Sequence, residues 1–439
     1  MPTQSGSVRK TIIIKSVCIS CWQLISFLIT QEVSNVSEIA IRSSLAGLEE
    51  YEVETIEAKI IVNANESNYP VPASIQQEIE EKTKSFLFNR YPPIKCETLC
   101  SLIAETLGVD IDKVRVGNGS SELLQMACYA FGGAGKKIAV PYPSFSMYGV
   151  YAQMSDSEVL RYPLNVEGFL DAEAVIAFCK ENQPDLLILN NPNNPTGNYN
   201  PLSVIEQIIA NVECPIIVDE AYMEFARGEG VDPRDLRPLS QLKLVAGSAL
   251  ALLNKYHNFL VFRTFSKAYS LAGMRVGYSV GSISLSRILG KTLLPYHVNA
   301  YSLMAAEICY RHKEDFREQI EEIRSQRALM IAELKELGMK VWPTETNFIC
   351  YSPEGKIQAV LAEAYENKYG YSNYSAATKA GKMIFKAMLA EKILLRDFSE
   401  HPVLQGCIRQ TIGLPEENAI VMNKIKNLCR ECLGNEQIN

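Results

Sequence analysis

The sequence predicts an α/β protein: a large domain with a mostly parallel sheet sandwiched by helices, followed by a smaller α+β domain. Three observations carry this. Between residues 112 and 295 short apolar runs alternate with helical stretches, the pattern of strands joined by crossover helices. After Pro295 the pattern changes to long helical stretches with scattered short strands. The chain has 439 residues, 47% of them hydrophobic, which is enough for two domains and a large buried core.

In order, the strand signals are 114–116, 137–140, 159–162, 186–189, 216–218 and 260–262. Helical signals fall between them at 122–131, 144–154, 172–180 and 202–210. In such a sheet ligands bind at the carboxyl ends of the strands. A helical stretch then runs from about 299 to 337, and Gly338 is a suitable stop. A strand at 347–351, a helix at 382–391, strands at 393–396 and 407–412 and a closing helix complete the smaller unit. The implied boundaries are an N-terminal extension at 1–38, an arm at 39–70 that joins the smaller domain, a large domain at 71–295 and the smaller domain at 296–439. No internal repeat is visible.

Composition narrows the function classes. The net charge is −7 and no basic stripe marks a nucleic-acid footprint. With 21% charged residues and no low-complexity tract, a disordered or fibrous chain is excluded. The apolar segment 12–29 is broken by Lys15 and Gln23 and has no small-residue cleavage site after it. It reads as a non-essential extension, not a signal peptide or a membrane span. The 12 cysteines are scattered in apolar contexts, as in a reducing cytoplasm. Two C-x-x-C pairs, Cys18/Cys21 and Cys429/Cys432, bind zinc only if the termini meet. Cysteine in an amphipathic closing helix acts as a small hydrophobe, so no metal is expected.

The chemistry is carried by residues that follow strand signals. Lys267 comes just after the run 260–265 and precedes Gly273-Met274-Arg275; alone, such a lysine is an ordinary surface residue. Asp219 closes the apolar run 216–218, where a buried acid is costly unless paired. A pyridinium nitrogen is a suitable partner, because the pair keeps the ring protonated and able to accept the electrons of a substrate carbanion. A helix cap is the plainer reading. Asn190-Asn191-Pro192-Asn193-Asn194-Pro195-Thr196-Gly197 forms a tight turn that aims the Asn194 amide into a cleft. Gly117-Asn118-Gly119-Ser120-Ser121-Glu122 leads through a glycine turn into a helix N-terminus, which suits a phosphate, and Ser120 and Ser121 add hydroxyls. Ser266 and Arg275 complete a phosphate cup. Phe145 is placed to stack on a flat cofactor ring, with core packing as its alternative.

Taken in that order, Asn194-Pro195-Thr196-Gly197, Asp219 with Tyr222, and Ser266-Lys267 with Arg275 resemble the fold-type I aminotransferases of classes I and II. Within that family the chain resembles the histidinol-phosphate aminotransferases. The likeness runs from about Ile39 to the end. It includes Val62-Asn63-Ala64-Asn65-Glu66, Asn89-Arg90-Tyr91-Pro92, Ile393-Leu394-Leu395-Arg396-Asp397 and Cys407-Ile408-Arg409-Gln410-Thr411-Ile412-Gly413. The resemblance implies a pyridoxal 5′-phosphate enzyme with a sheet of the seven-stranded type. It implies that Lys267 holds the cofactor as a Schiff base and then shuttles the substrate's α-proton. Asp219 would pair with the pyridine nitrogen, and Asn194 and Tyr222 would bond the 3′ oxygen. Ser120, Ser121, Ser266, Arg275 and, across a homodimer interface, Tyr91 would hold the cofactor phosphate. Arg409 would take the α-carboxylate of glutamate, and Arg396 with Tyr51 the phosphate of the substrate. Arginine suits both anions through bidentate hydrogen bonding.

Some residues depart from the family pattern. Phe145 stands where tyrosine is usual, Ser121 where aspartate is common, and Gln410 where the residue is usually apolar. The stretches 227–246 and 352–381 are longer than the family's and bear on the substrate entrance. The implied reaction is amino transfer from L-histidinol phosphate to 2-oxoglutarate, in the histidine biosynthesis of the cytoplasm. The partners are then small molecules and a second copy of the chain, with no nucleic acid and no membrane. The alternatives within the fold are an aromatic or broad amino-acid aminotransferase and a threonine-phosphate decarboxylase. A cofactor-binding regulator without turnover would need a DNA-binding module, for which the chain has no spare domain.

Overall fold

The computed structural model describes residues 41–50, 56–227 and 247–434. The chain divides into two units, residues 1–50 and 51–439. The described part of the first holds one short helix, Ser43–Ala46. The strands of the second, in chain order, are β1 (Ile60–Ile61), β2 (Val114–Gly117), β3 (Lys137–Tyr142), β4 (Glu158–Pro163), β5 (Leu186–Asn190), β6 (Ile216–Asp219), β7 (Phe259–Thr264), β8 (Gly277–Gly281), β9 (Met339–Val341), β10 (Phe348–Pro353), β11 (Ile393–Leu394), β12 (Arg396–Phe398) and β13 (Cys407–Thr411).

Strands β2 to β8 form a seven-stranded sheet in the order β2-β8-β7-β6-β5-β3-β4. The described pairings within it are parallel except the two made by β8. The sheet is therefore the mostly parallel one the sequence predicts. β5, β6 and β7 are buried at every residue, as central strands covered on both faces must be. Along β5 the side chains alternate between two cores: Leu187 and Leu189 enter one, Leu186 and Ile188 the other. Ile205 and Val175, from helices Leu202–Asn211 and Ala172–Asn182, fill the first core. Leu123 and Tyr148, from helices Gly119–Phe131 and Met147–Met154, fill the second.

β8 has no counterpart in the sequence reading, because Gly277-Tyr278-Ser279-Val280-Gly281 carries no apolar run. Its glycines are there for clearance. A Cβ on Gly277 would lie 2.3 Å from the Ser120 nitrogen, and one on Gly281 would lie 2.7 Å from the Phe259 carbonyl oxygen.

The smaller sheet is antiparallel, in the order β12-β13-β10-β9. β1 pairs in parallel with β11. The run 393–396, predicted as one strand, thus serves two sheets. The helical stretch predicted at 299–337 is two helices, Ala300–Arg311 and Arg317–Glu336, joined by a 3-10 turn at Lys313–Phe316. The long stretch at 352–381 forms helix Gly355–Tyr369 and the start of helix Ala376–Ala390. Of the other long stretch only Arg227 lies within the described residues. Cys429 is buried in the closing helix Pro415–Leu433, while Cys18 and Cys21 lie outside the described residues. Among the described residues no helix is long and apolar enough to cross a membrane.

Candidate active site

The carboxyl ends of the large sheet's strands converge on one cavity. Asn190 ends β5 beside Asp219, which ends β6. Ser266 and Lys267 follow the end of β7, and Tyr142 ends β3. Helix Gly119–Phe131 starts just after β2 and carries Ser120 and Ser121 in its first turn. The cavity, about 450 Å³, is lined by these residues and by Phe145, Asn194, Tyr222, Arg275, Arg396 and Arg409. The sequence-predicted residues therefore meet in one place, with two exceptions. Tyr91 does not line the cavity; its ring is 81% exposed and stacks on Tyr296 at 4.5 Å. Tyr51 lies outside the described residues.

Lys267 is half-buried, and its Nζ donates to the Ala64 carbonyl at 3.1 Å. Burial, with the like charges of Arg409 and Arg275, lowers the amine to about 7 against a smaller opposing pull from Glu66. The uncharged, nucleophilic form is then well populated at neutral pH. Asp219 is buried. Its Oδ2 accepts from the Tyr148 hydroxyl at 2.7 Å and its Oδ1 from the Ala221 amide at 3.2 Å. Burial outweighs both bonds and raises the carboxyl to about 6. Among the described residues no cation pairs with this acid, so a cationic group in the cavity would complement it.

The helix N-terminus forms a tight cradle. Gly119 has φ +78°, and a Cβ there would lie 2.6 Å from Arg275 Nη2. Arg275 Nη1 donates to Ser266 Oγ at 3.3 Å and to the Ala272 carbonyl at 3.2 Å. Helix amides, two serine hydroxyls and an arginine make an anion site.

On another wall Arg409, from β13, donates to Asn194 Oδ1 and to the Asn63 carbonyl, both at 2.6 Å. Its guanidinium also lies 5.3 Å from the Phe348 ring centre. The Tyr222 hydroxyl accepts from Asn65 Nδ2 at 2.9 Å. Arg396 has no ion-pair partner among the described residues. The acids beside it, Asp397 and Glu400, both face Lys382, at 3.7 Å for Asp397.

Several contributors have no role in the sequence reading. Tyr148 falls inside a predicted helix, and nothing in its spacing points to Asp219. Asn65 belongs to the family's opening motif without an assigned part. Glu220, directly after Asp219, is fully buried and accepts from Arg263 Nη2 at 2.7 Å, Ser248 Oγ at 2.6 Å and the Ala249 amide at 2.7 Å. Arg263 also reaches Glu224 at 3.0 Å. A charge in each of two adjoining apolar strand segments is the signal that finds this pair.

A family model for aminotransferase class I and II matches residues 57–425. The chain belongs to the class I and II aminotransferases. It is 31% identical over 392 residues to a histidinol-phosphate aminotransferase of Thermoanaerobacter sp., covering 89% of this chain and 99% of the relative. It is 32% identical over 385 residues to histidinol-phosphate aminotransferase 1 of Carboxydothermus hydrogenoformans, covering 88% and 97%. Among solved structures, the fold is similar to that of histidinol-phosphate aminotransferase from Sinorhizobium meliloti in complex with pyridoxal-5′-phosphate. The TM-score is 0.74 at 19% identity, covering 90% of this chain and 99% of that one. It is also similar in fold to L-threonine-O-3-phosphate decarboxylase from Porphyromonas gingivalis, with TM-score 0.65 at 21% identity, covering 84% and 98%.

As an aminotransferase of this family the protein uses pyridoxal 5′-phosphate, and the residues present fit that group. Asp219 is a buried acid without a cation among the described residues, Lys267 is a lysine with a lowered pKa, and the Gly119 cradle leaves no room for a Cβ.

Proposed function

We propose that this aminotransferase transfers the amino group of L-histidinol phosphate to 2-oxoglutarate, giving imidazole acetol phosphate and L-glutamate in histidine biosynthesis. The names of the relatives matched along nearly their whole length support this. The observation that carries it is Arg396: a guanidinium in the cavity wall whose neighbouring acids are both occupied by Lys382. A phosphorylated substrate supplies the missing counter-charge.

When bound, pyridoxal phosphate supplies an electron sink for the carbanion left by loss of the substrate's α-proton. Lys267 Nζ would hold the cofactor, and its free amine would carry the substrate's α-proton. The Asp219 carboxylate would pair with the ring nitrogen and keep it protonated. Asn194 Oδ1 is engaged by Arg409, which leaves Nδ2 to donate to the 3′ oxygen together with the Tyr222 hydroxyl. Phe145 would stack on the ring. Ser120, Ser121, Ser266 and Arg275 would hold the cofactor phosphate. In a homodimer the exposed Tyr91 reaches the partner's site. Arg409 binds the carboxylate of glutamate, while Arg396, with Tyr51, binds the substrate phosphate.

The same reading divides the main unit into a cofactor-binding domain at 71–295 and a small domain at 296–439. It places the enzyme in the cytoplasm, in keeping with ten free thiols among the described residues.

The test is a half-reaction. Enzyme carrying its cofactor is mixed with L-histidinol phosphate without keto acid, and the cofactor absorbance is followed. Conversion much faster than with phenylalanine or threonine phosphate supports the proposal. Conversion with aromatic amino acids alone makes this a broad aminotransferase, and carbon dioxide released from threonine phosphate makes it a decarboxylase.

A further inference from the structure

The turn after β12 places a second polar side chain in the wall of the cavity that Arg396 lines, on the same Phe398 ring that the Arg396 guanidinium faces at 5.9 Å. His401 lines the cavity with Tyr142 and Phe398. Its ring centre lies 5.3 Å from that of Tyr142 and 6.2 Å from that of Phe398. The backbone around it is closed by His401 N donating to the Phe398 carbonyl at 2.9 Å and Leu404 N donating to the His401 carbonyl at 3.2 Å. Lys382 braces the same segment through Asp397 and Glu400, and Asp397 Oδ1 accepts from Ser399 N at 2.7 Å.

The tautomer of His401 follows from its contacts. Nδ1 accepts from the Val403 amide at 3.2 Å and the Leu404 amide at 3.3 Å. A backbone amide can only donate, so Nδ1 carries no proton and the ring's N–H sits on Nε2. Burial disfavours the charged ring and keeps it in this neutral form. Nε2 has no hydrogen-bond partner among the described residues. The half-buried ring thus presents one fixed donor at a cavity wall that also carries Arg396, a guanidinium with no ion-pair partner among the described residues.

The geometry points to His401 as a residue that recognises the substrate's phosphate, its Nε2–H donating to a phosphate oxygen beside Arg396. The inference rests on the proposed preference for a phosphorylated amine and adds a specificity residue to it. A phosphate has three outer oxygens. An arginine fork takes two of them, and a neutral donor is suited to the third. The site then reads the tetrahedral anion, where a single arginine would serve a flat carboxylate equally well.

Two substitutions separate this role from a purely structural one. In His401→Asn the side-chain oxygen replaces Nδ1 as acceptor for the Val403 amide, an ordinary asparagine turn, but the reach of Nε2 is lost. In His401→Gln the amide nitrogen reaches the Nε2 position, but the acceptor of the turn is lost. The measurement is the ratio of kcat/KM for L-histidinol phosphate to that for L-histidinol, with the KM for glutamate as control. The ratio should fall about ten-fold in His401→Asn, the loss of one hydrogen bond to a charged group, through KM rather than kcat. It should be largely retained in His401→Gln, with the glutamate KM unchanged in both.

The reverse order, with His401→Asn normal and His401→Gln impaired, would assign His401 to the turn and overturn the inference. A phosphate preference unchanged in both variants would overturn it while leaving the proposed substrate standing. A wild-type enzyme indifferent to the phosphate would overturn both.

Discussion

Lys267 gives a pH dependence that can be worked out in advance. Its amine is lowered from the ordinary lysine value of 10.5 to about 7, by burial first and by Arg409 next. At pH 7.5 an amine with that pKa is about three-quarters free base, whereas an ordinary lysine is free in about one molecule in a thousand. Only the free base attacks an aldehyde. Capture of pyridoxal phosphate by cofactor-depleted enzyme at pH 7.5 should then be several hundred-fold faster than an unperturbed lysine allows. The rate should climb about ten-fold per pH unit below 7 and level off above it, because raising the pH removes the proton. Stopped-flow absorbance of the bound cofactor between pH 5.5 and pH 9.5 measures this (both limits being roughly where the free base is scarce and complete). In Arg409→Gln one like charge is gone, so the midpoint should move upward but stay below that of a free lysine, since burial persists. A wild-type rate still climbing ten-fold per unit at the upper end of that range would refute the reasoning. So would a midpoint that falls in Arg409→Gln.

Tyr148→Phe removes a bond that holds the Asp219 carboxyl down. Asp219 should therefore protonate at higher pH, and cofactor affinity should decline from the acid side earlier than in the wild type; equilibrium titration at several pH values measures it, and an unchanged profile counts against the pairing. Glu220→Ala leaves Arg263 buried beside Glu224 alone. The buried donors of Arg263, Ser248 and Ala249 that lose their acceptor should cost about 1–3 kcal/mol of stability, read as a lower midpoint in urea. Gly277→Ala drives a methyl group to within 2.3 Å of the Ser120 nitrogen. The strain of about 1–3 kcal/mol should show in cofactor affinity as well as in Tm, since the displaced amide lies at the helix N-terminus proposed to hold the cofactor phosphate.

The parts of the fold that were legible in the sequence share a physical cause. β5, β6 and β7 are covered on both faces, so each opens with an apolar run of three or four residues that announces itself, with the polar residues kept to the strand ends. β8 is equally buried, yet Gly277 and Gly281 were selected for clearance, and an apolar-run criterion passes over them. The division between β11 and β12 was also illegible, because Ile393-Leu394-Leu395-Arg396 is one uninterrupted run whose partners, β1 and β13, lie far away in the chain. The two helices of 300–336 adjoin without a glycine or proline between them, so composition gave no sign of the break. At the site, residues at strand ends could be found because motif spacing locates strand ends. Tyr148 and His401 could not, since each acts through a three-dimensional neighbour, Asp219 in one case and two amides of its own turn in the other.

The segment 59–65 also has a bearing on the order of events during synthesis. Lys59, Ile60 and Val62 bond to the backbone at 392 and 394. Asn63 and Ala64 give their carbonyls to Arg409 and Lys267, and the Asn65 amide bonds to Thr411 Oγ1 across 346 positions. At about 5–20 residues per second a ribosome needs roughly 17–70 s to travel that distance. Within that interval the large sheet can form while the cavity lacks the wall that β13 supplies and the segment 59–65 lacks its anchors. A nascent chain released before residue 411 would have the helix N-terminus at Gly119 but no closed cavity, so the candidate site is completed only after residue 411 has been made.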